Sequence, residues 1–441
     1  MIVPRPRLLF WTGALALPLA FAGAGPPAST VAFGVFGAFL LVAVADALVS
    51  RRRLDGIEVA PPRLVRLTVD RPGGIELFMK GGGTGSRRLR LGLSLPPDFE
   101  TPHDDLLVEW PAAAPLSRVV WPCTPRRRGE FALPGCRLED ASMLGLWDVR
   151  RALAGGATVR VYPNLVAEGK NLAALFLRRG SLGVHAQRQV GKGRDFEKLR
   201  EYIPGDSIDD IHWKATAKRG HPVTKVFQIE RTQEVYVVLD ASRLSARLSG
   251  SPPRSALERS ITAALILALA AERQSDLFGL VAFSDRILAF LRARRGKAHF
   301  DGCREAIYRL APQIVNPDFE EIASFLRLRL RRRALLLFLT DLDDPVLSES
   351  FVKGIDILRR HHLVLAGMLR PEGARPLFSE ARVASVDDLY GALAGHIAWH
   401  RLLELSQVLR VRGASLMLLE RETMSAELVT RYIGVKRRQI L

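Results

Sequence analysis

The sequence predicts a membrane hairpin of two helices, then an all-β sandwich-like domain, then an α/β domain on a doubly wound, mostly parallel sheet. Three observations predict this. Two apolar runs with almost no charge open the chain. A middle stretch alternates apolar and polar residues between Gly and Pro clusters. A final stretch alternates near-continuous apolar segments with helical patterns. The expected spans are 1–54, 55–165 and 234–441, with a charged block over 166–233 between the last two.

The hairpin rests on LLFWTGALALPLAFAGAG, about 8–25, and ASTVAFGVFGAFLLVAVADALVS, about 28–50. Each approaches the roughly 20 residues a helix needs to cross a bilayer. Arg5 and Arg7 precede the first run and Arg51, Arg52 and Arg53 follow the second. This places both ends in the cytoplasm. The rival reading is a signal peptide with Ala20-Phe21-Ala22 near its cleavage site; the second run still anchors the chain in that case. Asp46, the one charge in the second run, lies near its inner end and reads as an interfacial carboxylate.

The sandwich rests on the alternation over 63–69, 88–94 and 157–162, with turn formers at Gly81-Gly82-Gly83 and Pro96-Pro97. No candidate chemistry falls in it. Arg126-Arg127-Arg128 reads as a solvated or membrane-facing patch.

The α/β domain rests on strands expected at 235–240, 277–283, 334–341, 363–368 and 415–419. Helices are expected between them at 255–273, 300–310, 322–330, 348–359 and 386–409. Ligands of such sheets sit at the carboxyl ends of the strands. Two strands here end in carboxylates, Asp240 and Asp341.

Composition narrows the function classes. The 441 residues carry 64 Lys+Arg against 46 Asp+Glu, a formal charge of +18. The excess points to anionic lipid, an acidic partner or nucleic acid, or else reflects a compositional bias toward arginine. Cys123, Cys136 and Cys303 make no CxxC pair, which fits reduced, structural thiols. Gly191-Lys192-Gly193 lacks the hydroxyl residue and first glycine of a phosphate loop, so nucleotide binding is not expected. His396 and His400 share a helix face, but Ile397 stands where a zinc protease needs its glutamate. His361-His362 carries no pattern. The basic run Arg327–Arg333 has no interleaved aromatics, which disfavours RNA; a solvated helix end or contact with anionic lipid remain.

The most distinctive segment is GKGRDFEKLREYIPGDSIDDIHWKATAKRG, 191–220. With Leu144-Gly145-Leu146-Trp147 and Val161-Tyr162-Pro163 upstream, and Gly279–Asp285 downstream, it resembles the domain-of-unknown-function 58 family of bacterial membrane-anchored proteins. The last of these stretches is similar to the second strand of a von Willebrand factor A domain. The resemblance implies an A-like α/β domain and a protein-interaction role. It also implies a MoxR-type AAA+ ATPase partner, in complex assembly or envelope maintenance at the bacterial inner membrane, with the soluble parts cytoplasmic and lipid as the other contact. No nucleic-acid partner is expected, and no small-molecule substrate is known.

Domains of this kind often hold a hard divalent cation such as magnesium through oxygen ligands. Here Asp240, Ser242 and Asp341 are the candidate metal ligands. Leu244 replaces a second serine, with Ser245 one residue on, and no threonine falls between Val281 and Arg333. The set is degenerate, and the plainer reading is that these side chains cap helices and bind strand-end amides. In the charged block, Arg194, Asp195, Arg200, Tyr202, Asp206, Trp213 and Lys214 are the candidate interaction residues. Two readings stand side by side: a paired structural network with Glu197, Trp213 packed beneath it, or a docking surface with arginine and tryptophan anchors. The functional expectation is a non-enzymatic interaction protein with no cofactor. The alternative is a metal-dependent hydrolase using Asp240 and Asp341.

Overall fold

In the computed structural model, residues 1–21, 26–81, 87–110, 116–166, 190–204, 207–228, 233–250, 253–377, 379 and 385–438 are described. The chain divides into two compact units, Met1–Asn164 and Leu165–Leu441.

The first unit opens with helices Pro6–Phe21 and Pro26–Ser50. Among the described residues only the second, over Thr30–Ser50, is long and apolar enough to cross a membrane. The first has 16 residues, a rise of about 24 Å against a hydrocarbon core of about 30 Å. The C-terminal end of the second helix is fastened to the β layer. Asp46 is only 6% exposed. Its Oδ1 accepts the Leu144 amide at 3.2 Å and the Ser50 hydroxyl at 3.4 Å, while Trp147 Nε1 donates to the Ala43 carbonyl at 2.8 Å. The interfacial carboxylate expected from sequence is thus engaged by protein. Ion pairs Arg5–Asp148 at 2.6 Å and Arg53–Asp140 at 3.2 Å flank this contact.

Two sheets share one apolar core. The larger runs Ile2–Pro4, Trp147–Tyr162, Gly129–Ala141, Arg87–Leu93, Leu106–Trp110; the smaller runs Glu58–Ala60, Gly73–Lys80, Leu116–Pro125, Phe99–Glu100. Alternation sends Ile75, Leu77, Met79 and Trp121 of one sheet against Leu89, Leu91, Leu138 and Val159 of the other. The expected antiparallel pairing holds with one departure: Leu64–Thr68 runs parallel to Trp147–Tyr162.

In the second unit a six-stranded sheet has the order Ile287–Arg294, Leu277–Phe283, Glu234–Asp240, Ala334–Leu339, Leu363–Leu369, Ala414–Leu419. All neighbours are parallel except the first pair. The sequence pattern missed that antiparallel edge strand, whose residues are mostly half-buried and show no clean alternation. Helices cover both faces, giving two separate apolar cores. Ala256–Arg273 and Met424–Arg437 lie on one face. Phe319–Arg329, Pro345–Leu358 and Val386–Val411 lie on the other. Gly279 is required where it stands, because a Cβ there would strike the Tyr236 ring. The charged block contributes the antiparallel pair Val190–Glu201 and Val223–Gln228 and, between them, the short helix Trp213–Arg219.

Candidate functional site

The parallel pairing of Glu234–Asp240 with Ala334–Leu339 brings Asp240 and Thr340 side by side at the carboxyl end of the sheet. Asp240 is 1% exposed. Its Oδ1 accepts the Ser242 amide at 2.8 Å and its Oδ2 accepts the Thr340 hydroxyl at 2.6 Å. Ser242, fully buried, caps the 3-10 turn Arg243–Ala246 and accepts the Leu244 amide. Ser245 donates its hydroxyl to the Ser242 carbonyl at 2.8 Å, so its proton is spent on the backbone. Asp341 closes its own turn through the Asp343 amide at 3.0 Å and faces the Arg247 guanidinium at 3.6 Å. Burial pushes the carboxyl groups of Asp240 and Asp341 above their ordinary range. Thr340 and Ser242 oppose the shift at Asp240; the Asp343 amide and Arg247 oppose it at Asp341.

A cavity of about 30 Å³ lies over this end, lined by Asp240, Ser245, Thr340, Asp341, Gly367 and Met424 among others. It has room for little more than one water molecule. The oxygen donors are of the type magnesium prefers. Their geometry does not make a cation cage. Both Asp240 oxygens hold hydrogen bonds and a guanidinium stands at Asp341. Among the described residues no three His, Cys, Asp or Glu side chains gather as metal ligands. Sequence reasoning missed Thr340. It looked for a threonine before Arg333, while the structure draws the hydroxyl from the residue next to Asp341.

The candidate interaction residues are spread along the charged block. Arg194 and Asp195 lie in the Val190–Glu201 strand, but their side chains, that of Glu197, and all of Asp206 lie outside the described residues. Arg200 and Tyr202 are half-buried and Lys214 is exposed. Trp213 does not pack beneath the block as the structural reading expected. It stands at the first position of the Trp213–Arg219 helix and is 67% exposed. Ile203 and Ile208, on the same stretch, are 55% and 69% exposed. The local chemistry explains the placement. His212 Nδ1 accepts the Ala215 amide and opens the helix, and Gly220 closes it in the left-handed region at φ 75°. Seven residues between those caps bury little, so the indole is left in solvent.

The remaining sequence candidates fall apart as sites. His396 and His400 meet edge to face at 5.3 Å, and His396 Nδ1 accepts the Leu377 amide. His362 is buried, with neither ring nitrogen hydrogen-bonded, and burial lowers its pKa to about 4. The basic run ends the Phe319–Arg329 helix with its arginines exposed. All three cysteines are buried and free, and burial pushes the Cys303 thiol up to about 12.

Comparison with known proteins agrees with the resemblance carried by the charged block. Residues 198–377 match the family model described as a protein of unknown function, DUF58. An uncharacterized protein of Mycobacterium bovis is 23% identical over 279 residues, spanning 59% of this chain and 84% of its own. Uncharacterized proteins of two Mycobacterium tuberculosis strains give the same figures. Among solved structures, the SpRpn10 VWA domain is 10% identical with a TM-score of 0.27, over 45% of this chain and 95% of that one. Proximal thread matrix protein 1 from the mussel byssus is 16% identical with a TM-score of 0.23, over 32% of this chain and 36% of its own.

Proposed function

We propose that this chain is a non-enzymatic interaction protein of the bacterial inner membrane. The apolar helix Pro26–Ser50 anchors it, its soluble units face the cytoplasm, and the charged block docks a MoxR-type AAA+ ATPase. The process served is complex assembly or envelope maintenance, with membrane lipid as the second contact. One observation carries the reading: Trp213 is 67% exposed in a segment that the family model spans. A solvent-exposed tryptophan followed by Lys214, on the same stretch as the exposed Ile203 and Ile208, has the composition of a binding hot spot. The proposal assigns no catalytic residue and no cofactor. The test is purification of the full-length chain from its native cells in mild detergent with ATP present. An AAA+ ATPase that co-purifies with the parent and is lost with Trp213→Ala supports the reading. Recovery of the parent chain alone, repeatedly, overturns it.

A further inference from the structure

The helix Val386–Val411 is apolar on two opposite sides. One stripe, Gly395, Ala398, Leu402, Leu405 and Leu409, follows the 3-4 spacing of a helix seam and packs on the second core of the α/β unit. At Gly395 the helix comes so close to the Gly373 carbonyl that no Cβ fits. The other side carries Val386, Tyr390, Leu393 and Ile397, again at 4-3-4 spacing, and these are 67%, 66%, 44% and 46% exposed. Leu389 and Leu403 flank that stripe at 45% and 39%. A helix apolar on both sides is built to be covered on both.

The outer stripe is complementary to itself in the antiparallel sense. With the repeat written so that Tyr390 and Ile397 are a positions and Val386, Leu393 and His400 are d positions, a two-fold axis near Ala394–Gly395 sets Leu393 against the second copy's Ile397. The same axis sets Tyr390 against His400. It also places Leu389 beside Leu403 on one flank and Asp387 beside Arg401 on the other, each pair occurring twice by symmetry. Asp387 and Arg401 are both exposed. In one register Leu393 therefore meets Ile397, Leu389 meets Leu403 and Asp387 meets Arg401, while the outer layers set Tyr390 against His400 and Val386 against Glu404. We propose that a second copy of this chain covers the outer stripe, forming an isologous antiparallel dimer through the Val386–Val411 helix.

The test uses single cysteines in the full-length chain in mild detergent, cross-linked with a short bis-maleimide. The native thiols are buried and the parent chain serves as their control. Ala394→Cys lies at the axis and is expected to give a covalent dimer as the main product. Val386→Cys is expected to give only traces, because its two copies would stand about 27 Å apart. Asp387→Arg and Arg401→Asp are each expected to cut the Ala394→Cys yield several-fold, and the two together to restore it. A monomer with no cross-link at Ala394→Cys and an unchanged unfolding midpoint overturns the proposal. So does a Val386→Cys yield equal to that of Ala394→Cys, which would indicate parallel pairing. Failure of the charge reversal to rescue overturns the register.

Discussion

Two aspartates, each 1% exposed, stand at opposite ends of the same sheet and are compensated in different ways. Asp276, at the amino end, meets a cation. Its Oδ2 accepts from Lys436 Nζ at 2.8 Å and from the Tyr432 hydroxyl, and its Oδ1 accepts the Gln233 amide at 3.1 Å. Asp240, at the carboxyl end, is held among the described residues by neutral donors, the Ser242 amide and hydroxyl and the Thr340 hydroxyl. The Coulomb partner of a buried charge contributes more than a neutral hydrogen bond, so the amino end is the fastened end. The carboxyl end holds a carboxylate that burial pushes toward its protonated form. Charge at the amino end closes the fold; charge at the other end is left for chemistry or for structure to use.

The comparison breaks most sharply at Asp276. Asp276→Ala leaves the Tyr432 hydroxyl without its acceptor and Lys436 with the Gln274 carbonyl but no counter-charge. It is expected to cost about 3 kcal/mol in denaturant unfolding of the solubilised chain, the low end for a buried pair. The low end applies because Lys436 keeps 26% of its side chain in solvent. At the other end Thr340→Val removes one neutral donor from Asp240. The expected loss is about 2 kcal/mol by the same measurement; a loss equal to that of Asp276→Ala would erase the distinction. His362, also at the amino end of its strand, gives an effect with a pH signature. Its folded pKa, about 4, lies below the ordinary 6.5. The unfolded chain therefore binds the proton first, and stability present above pH 6.5 drains away as pH falls toward 4. In a melting series across that window, His362→Leu is expected to flatten the drop, by up to about 3 kcal/mol. The smallest effect expected is that of magnesium. Millimolar magnesium should leave the unfolding midpoint of the parent chain where it was. A rise that Asp240→Asn abolishes would restore the cation reading, since only a ligand of the folded state raises the midpoint.

Much of the α/β unit was legible because its strands are nearly unbroken apolar runs between turn formers. Strands were expected at 277–283 and 235–240; the structure has Leu277–Phe283 and Glu234–Asp240. The two strand-end carboxylates could be read for the same reason. Their partners could not. Tyr432 and Lys436 reach Asp276 from about 160 residues away, and nothing local in the Met424–Arg437 helix marks the two as facing one buried carboxylate. Trp213 shows the converse. Its neighbours in sequence look like a paired network around an aromatic, yet exposure is set by how little the short helix covers. The long helix Val386–Val411 was legible as a helix, but its inward stripe at Gly395, Leu402 and Leu409 has to be known before the outward one stands out.

The contact at Asp46 has a consequence for the order of synthesis. The Leu144 amide that engages this carboxylate lies 98 residues later in the chain. The Trp147 indole that binds the Ala43 carbonyl lies 104 residues later. The apolar helix therefore leaves the ribosome before any of the groups that will hold its C-terminal end exist. Until they are made, a bare carboxylate near the last turn resists being drawn into lipid. The same side chain that later clasps the β layer would thus limit how deep such a helix could enter a bilayer.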